Sequence, residues 1–151
     1  MRLHLEGSSE FGLDPETAYR RLTDLDIMTR ALPDVEDVRI LDSETAEATM
    51  KLRIALVSTK LRMRIKISGK RPPSHAELTA EGSGSGSHVK IESIFDLERE
   101  GERKTKMSWS ANAEITGIMA GIGSLMLKGF AEKRVAEMFE GIRGAIEKQK
   151  D

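Results

Sequence analysis

Residues 35–115 run through six successive segments in which apolar and polar side chains alternate, and this succession of strands constrains the fold more than any other feature. Residues 45–57 set Ala46, Ala48, Met50, Leu52 and Ile54 against Glu47, Lys51 and Arg53, and residues 60–68 set Leu61, Met63, Ile65 and Ile67 against Lys60, Arg62, Arg64 and Lys66. Residues 35–41 precede them. Residues 76–86, 89–97 and 107–115 follow, with Pro72-Pro73 and Glu100-Gly101 as turn signals. Residues 2–11 add a seventh strand, with Leu3, Leu5, Gly7, Ser9 and Phe11 on one face. A meander of this length has one face to bury, and only the terminal stretch, residues 116–150, is long enough to cover it. The expected architecture is therefore α+β: a seven-stranded curved antiparallel sheet wrapped around a long C-terminal helix.

That terminal stretch reads as one helix with two unlike halves. Val135, Met138, Phe139, Ile142 and Ile146 form a stripe opposite Lys133, Glu137, Glu140 and Lys148, which predicts a firmly packed second half. In residues 117–130, Ile118, Met119, Ile122, Leu125, Met126 and Leu127 cover nearly the whole circumference, interrupted by Gly117, Gly121, Gly123 and Gly129. An all-round apolar segment too short to span a bilayer should lie across protein, close an apolar cavity or touch a membrane surface. Its glycines lower helix stability and suggest a gate. Between the first two strands, Asp14-Pro15-Glu16 opens a short helix through Ala18, Tyr19 and Leu22, and a second short helix, residues 25–31, stops before Pro33.

Charge narrows the function classes. With 24 basic and 25 acidic residues the net charge is -1, so no global field attracts nucleic acid. The absence of cysteine excludes disulfide frameworks, thiolate metal sites and cysteine nucleophiles, and suits a reducing interior. The opening residues lack an apolar signal core, and no window supplies about 20 uninterrupted apolar residues. The expectation is a single domain over residues 1–151, cytoplasmic, soluble or peripheral at the inner membrane face. Eight methionines and an aromatic fraction of 4% predict a deformable apolar interior.

Gly82, Gly84 and Gly86 continue the inner face of Ala76, Leu78 and Ala80, where Val or Ile would fill a packed core. A cavity is expected there, bounded by Met63, Leu78, Ile91, Met107, Trp109, Ile118, Ile122 and Met126, with the Tyr19 hydroxyl as a polar anchor at its rim. His4, His75 and His88 fall on outward faces or strand ends without ligand spacing, so no metal site is expected. No catalytic residue stands out. Ser9 and Ser93 are the polar residues at inward strand positions, and Asp24, Asp26, Asp34, Glu36 and Asp37 sit in loops around Pro33 with no reason to be desolvated, as general acids must be. Lys60, Arg62, Arg64 and Lys66, flanked by Lys51 and Arg53, form a basic row on the outer sheet face, which Glu77 and Glu81 of the next strand could partly neutralise. That row suits an acidic partner protein or an anionic membrane. Without interleaved aromatics it does not suit nucleic acid.

The element order resembles the helix-grip fold of the START and Bet v 1-like (SRPBCC) superfamily. Phe11 with Pro15-Glu16, Leu22-Thr23-Asp24, Ala31-Leu32-Pro33, Gly82-Ser83-Gly84, Trp109 through Gly117, and Gly121-Ile122-Gly123 before Phe130-Ala131 are similar to the CoxG family of carbon monoxide dehydrogenase subunits, almost end to end. Asp34 stands where the family has a small residue, and the chain, ending at Asp151, has no counterpart of the tail that anchors some relatives to a membrane. The resemblance implies a non-catalytic binding or carrier protein for a lipid or quinone-like molecule, with no intrinsic cofactor. It also implies partnership with a molybdenum-containing dehydrogenase, through assembly, recruitment or delivery of an electron acceptor. An enzyme of the cyclase or hydrolase kind in the same cavity, or a purely structural accessory subunit with a filled interior, are the alternatives.

Overall fold

A computed structural model describes residues 1–147. Seven strands form one antiparallel sheet in the order β1-β7-β6-β5-β4-β3-β2: β1 (Arg2–Phe11), β2 (Val35–Asp42), β3 (Thr45–Ile54), β4 (Val57–Arg71), β5 (His75–Gly84), β6 (Ser87–Gly101) and β7 (Lys104–Gly117). Sequential strands from β2 to β7 are joined by tight turns, as their alternation and turn residues predict, while β1 pairs with β7 from Arg2 opposite Glu114 to Phe11 opposite Thr105. That pairing makes β1 and β2 the two edges of the sheet.

Helices α1 (Pro15–Leu22) and α2 (Leu25–Ala31) follow β1. Asp14 caps α1 by accepting from the Thr17 amide at 3.0 Å, with Pro15 in the first turn, where its missing N–H costs nothing. Asp24 caps α2 by accepting from the amides of Asp26 and Ile27. Replacing Asp14 by Ala is expected to cost about 1 kcal/mol, the usual value of such a cap. The hydrogen bond from the Thr17 amide holds the Asp14 carboxyl below its ordinary value of 3.8. Stability from the charged cap is therefore fully present above the unfolded value and disappears as pH falls through the lower folded one. Denaturant titrations should show a difference between wild type and Asp14→Ala that persists at neutral pH and closes only in strong acid.

The expected single terminal helix is two elements, and it starts later. Strand β7 continues through Thr116, opposite His88, to Gly117, opposite Ser87; a 3-10 segment, Ile118–Ile122, follows, and α3 (Ser124–Glu147) begins after it. Lys148 and the last residues of the expected helix lie outside the described residues. Cross-strand pairing with the long β6 claims residues that helical periodicity alone assigned to the helix. Gly117 then turns the chain with φ 86, so close to β6 that a Cβ on it would lie 2.1 Å from the Gly86 carbonyl oxygen. Gly123, at φ 102, separates the 3-10 segment from α3. The β3 segment is also shorter than residues 45–57, because Ala55, with φ 54, turns the chain at Leu56.

One part of the core lies where α1, α2 and the end of α3 meet the sheet. Phe11, Leu22, Leu97, Met107, Ile142 and Ile146 are buried together there. Polar ties close this end: Thr105 Oγ1 donates to the Leu13 carbonyl at 2.7 Å, and the buried Arg21 donates through Nη1 to the Ile146 carbonyl in the last described turn of α3. A cation at a helix C-terminus meets the negative end of the helix dipole.

Candidate functional site

Helix α3 does not cover the whole inner face of the sheet. Leu78, Ile91, Phe95 and Trp109 lie on the face turned to the core yet remain only partly buried. A cavity of about 670 Å³ opens between β1 and α3, at the β1 edge. Its apolar wall is Leu5 of β1, Trp109 of β7 and Val135, Ala136 and Phe139 of α3. Trp109 and Phe139 pack at 5.5 Å between ring centroids. Gly7 lies opposite Trp109 in the sheet, and a Cβ there would come within 3.0 Å of the indole, so the missing side chain of β1 makes room for the ring.

Polar groups stand along one margin. Arg143 donates through Nη2 to Ser9 Oγ at 2.7 Å and through Nε to the Glu10 carbonyl at 3.2 Å, and pairs with Glu140 at 2.9 Å. His4 contacts Glu6 at 3.1 Å and Asn112 at 2.8 Å, and these bonds raise its pKa above the usual histidine value. The Trp109 Nε1 is buried with no hydrogen-bond partner among the described residues. The carboxylates around the cavity, Glu6, Glu132 and Glu140, are exposed to solvent. Among the described residues the arrangement offers an apolar wall with hydrogen-bond donors beside it and solvated carboxylates, and it can bind and orient a ligand.

Of the residues expected to line a cavity, Trp109 alone borders this one. Met63 and Met107 are buried in the core, and Leu78, Ile91 and Ile122 pack against it. Ile118 and Met126 point to solvent instead, because β7 carries the chain to the sheet's end before the helix begins. The glycine stretch does not leave empty volume. A Cβ on Gly82 would lie 2.3 Å from the Arg62 carbonyl oxygen and 2.4 Å from the Met63 sulfur, so β4 and its methionine occupy the space. Tyr19 is buried, and its hydroxyl donates to the His75 carbonyl at 2.9 Å, so it is a core hydrogen bond and not a rim anchor. Burial raises its pKa.

The basic row lies on exposed positions, with partners other than those expected. Glu36 is held by both Lys51 at 3.2 Å and Lys60 at 3.3 Å, bonds that keep its carboxyl below the usual range, and Arg64 is 4.0 Å from Glu47. Glu81 stands opposite Arg64 in register but contacts His88 at 3.2 Å. Arg53, Arg62 and Lys66 make no ion pair among the described residues. His75 contacts Asp96, and no group of three or more potential metal ligands gathers among the described residues. Asp34 forms a 2.7 Å ion pair with Arg134 of α3, tying the start of β2 to the helix. No helix of the described residues is long and apolar enough to cross a membrane.

Sequence reasoning missed Leu5, Ser9, Val135, Phe139 and Arg143 as cavity residues. The inward parity of Leu5 and Ser9 was legible. What brings them to α3 is the pairing of β1 with β7 and the path of α3 toward the β1 edge, which periodicity does not encode.

A curved seven-stranded antiparallel sheet gripping a long C-terminal helix, with a cavity between them, is the helix-grip architecture of the START and Bet v 1-like superfamily. The family model for CoxG, a carbon monoxide dehydrogenase subunit, matches residues 7–147, and the chain belongs to that family. No curated protein matches the sequence. A conserved protein from Geobacillus kaustophilus is similar, at 26% identity over 95% of both chains with a TM-score of 0.87. A START superfamily protein from Mycobacterium smegmatis shares the fold at 14% identity over 95% of this chain and 97% of that one, with a TM-score of 0.68. So does the Zhui aromatase/cyclase from Streptomyces sp. R1128, at 12% identity over 97% and 94%, with a TM-score of 0.68.

Proposed function

We propose that this protein is a non-catalytic carrier that holds a lipid or quinone-like molecule in the cavity between β1 and α3, and acts as an accessory subunit to a molybdenum-containing dehydrogenase. The observation that carries the reading is the apolar wall of Leu5, Trp109, Val135 and Phe139 with donors beside it, in a space of about 670 Å³. That volume suits a small organic molecule. An apolar body would pack on Trp109 and Phe139, and a carbonyl or carboxylate end would take hydrogen bonds from Arg143. The family name supports the partnership with carbon monoxide dehydrogenase. The outer face around Arg53, Arg62 and Lys66 is the natural docking face for an acidic surface of that enzyme, in the cytoplasm at the inner side of the membrane.

The competing readings have less support. A cyclase or hydrolase needs a desolvated acid or base, and Ser9, already held by Arg143, is the buried polar side chain at this cavity. A purely structural subunit has no use for an open cavity beside its only tryptophan.

Trp109 is the reporter for the test. Quinones with short tails, fatty acids and apolar dyes should shift its fluorescence and saturate at one molecule per chain. Amides of residues 135–139, which border the cavity on α3, should exchange more slowly once the ligand is bound. Fluorescence unmoved by every class well above micromolar concentration would overturn the carrier reading.

A further inference from the structure

Strand β1 is an edge of the sheet, and the first part of that edge is unpaired among the described residues. Met1 and Ile115 exchange both backbone hydrogen bonds, the Met1 amine donating to the Ile115 carbonyl at 3.0 Å and the Ile115 amide to the Met1 carbonyl at 2.8 Å. In an unbroken antiparallel ladder such pairs recur at every second residue, so Leu3, Leu5, Gly7, Ser9 and Phe11 bond to β7, while Arg2, His4, Glu6, Ser8 and Glu10 turn their N–H and C=O groups outward. Helix α3 occupies one end of this row. Arg143 Nε donates to the outward Glu10 carbonyl at 3.2 Å, and the Gly12 amide, just beyond the strand, donates to Glu147 Oε1 at 2.6 Å. The outward backbone groups of Arg2, His4, Glu6 and Ser8 have no partner among the described residues.

Edge strands are commonly blunted by bulges, prolines or charges turned inward. The other edge of this sheet, β2, has two register shifts against β3 and φ 51 at Asp37. Strand β1 has none of these devices: its register against β7 is unbroken from Arg2 to Phe11, and its inner face carries no charge. Burial divides where the hydrogen bonds do. Ser9 and Phe11 are buried near α3, whereas Leu3 and Leu5 are half-buried and Gly7 is exposed.

We propose that residues 2–8 pair with the same segment of a second copy of this chain, antiparallel about a two-fold axis at Leu5. A two-fold contact requires a segment complementary to itself, and this segment meets that requirement. Centring on Leu5 sets His4 opposite Glu6 and Arg2 opposite Ser8, each twice, and brings every free residue of the row into a hydrogen-bonded pair. Centring on His4 would face histidine with histidine and leave Ser8 unpaired. Centring on Glu6 would face carboxylate with carboxylate and set Arg2 against Glu10, whose carbonyl Arg143 already holds. On the inner face Leu5 meets Leu5 and Leu3 covers Gly7, so the second copy adds apolar side chains at the open side of the cavity. This match of charge and side-chain size across the axis favours a second copy over a strand of another protein. A single strand pair is a small interface, so the dimer should be weak and concentration-dependent. It does not depend on a ligand being bound.

Sedimentation velocity at concentrations up to about a millimolar should show a monomer–dimer equilibrium. Glu6→Pro removes an outward N–H and no bond to β7, a change that an edge strand tolerates, so it should weaken the dimer by at least about tenfold with circular dichroism unchanged. His4→Glu sets carboxylates opposite one another, and His4→Lys combined with Glu6→Lys does the same with ammonium groups. Symmetry applies each repulsion twice, so each variant alone should dimerise at least about tenfold more weakly, and mixing the two should restore the dimer, because opposite charges then meet at both positions. The chain has no cysteine, so Leu5→Cys places a single thiol on the axis. With oxidised glutathione it should give a disulfide-linked dimer, while Leu3→Cys, facing Gly7 of the second copy, should not. A dimer undiminished by Glu6→Pro, equal crosslinking of the two thiol variants, or repelling variants that do not recover on mixing would each overturn the proposal. So would a chain that stays monomeric throughout, which would leave the free edge to a strand of another protein. Trp109 titrations report the cavity separately, so failure of pairing and failure of ligand uptake are distinguishable.

Discussion

Unfolding free energy is expected to fall by about 3 to 5 kcal/mol when Phe11 is replaced by Ala, the range for truncating a fully buried phenylalanine. Phe11 is 1% exposed at the end of β1, among the largest fully buried side chains. It packs in the cluster where α1, α2 and the end of α3 converge on the sheet. Arg143 lies over its ring, 5.8 Å from guanidinium carbon to centroid, so truncation also removes a cation–π contact. The same arginine holds Ser9, so loosening this end should be felt at the cavity margin. Urea unfolding with an unchanged slope is the appropriate measurement, because it separates lost stability from an altered unfolded state. A loss below about 1 kcal/mol would show that neighbouring side chains collapse into the space, and that this end is not the anchor of the fold.

The second large effect is on binding. Phe139→Asp should weaken uptake of apolar ligands by about a hundredfold or more, since it sets a carboxylate against Trp109 where the ligand body would lie, and leaving a charge beside apolar surface costs more than about 3 kcal/mol. Aspartate is too short to carry its charge out to water as a lysine would. Phe139 is only partly buried, so the fold should survive, with a melting temperature lowered less than by Phe11→Ala. Phe139→Leu keeps an apolar wall and should bind within about tenfold of wild type. Undiminished binding in Phe139→Asp would move the ligand to another part of the molecule.

Both effects depend on where α3 lies, and that is where local reading stops. The bounds of β1 and α2 are legible because alternation, caps and proline are short-range signals: Asp14 before Pro15 can be little else than a helix start, and Pro33 stops what precedes it. The start of α3 is not legible. Residues from Thr116 to Gly123 are apolar and glycine-rich enough for either helix or strand, and pairing with Ser87 and His88 on another strand resolves the conflict. Gly82 illustrates the same limit: a missing side chain signals either a void or a close neighbour, and only the position of Met63 and the β4 backbone distinguishes them. Tyr19 likewise has the same helical position whether its hydroxyl faces a ligand or, as here, the His75 carbonyl.

By itself, then, the sequence determined the number and type of the strands, the two short capped helices, the presence of a terminal helix with a packed stripe, and the family, because each rests on patterns within a few residues or on motif order. Only the tertiary structure decided that β1 lies beside β7, that the cavity opens at that edge beside Trp109, and that α3 holds one end of the β1 edge and leaves the other free. Those facts depend on pairing and packing between residues far apart in the chain, 134 positions in the Arg143–Ser9 contact. Hydrophobic periodicity states which face of an element is buried, but it carries no information about which other element buries it.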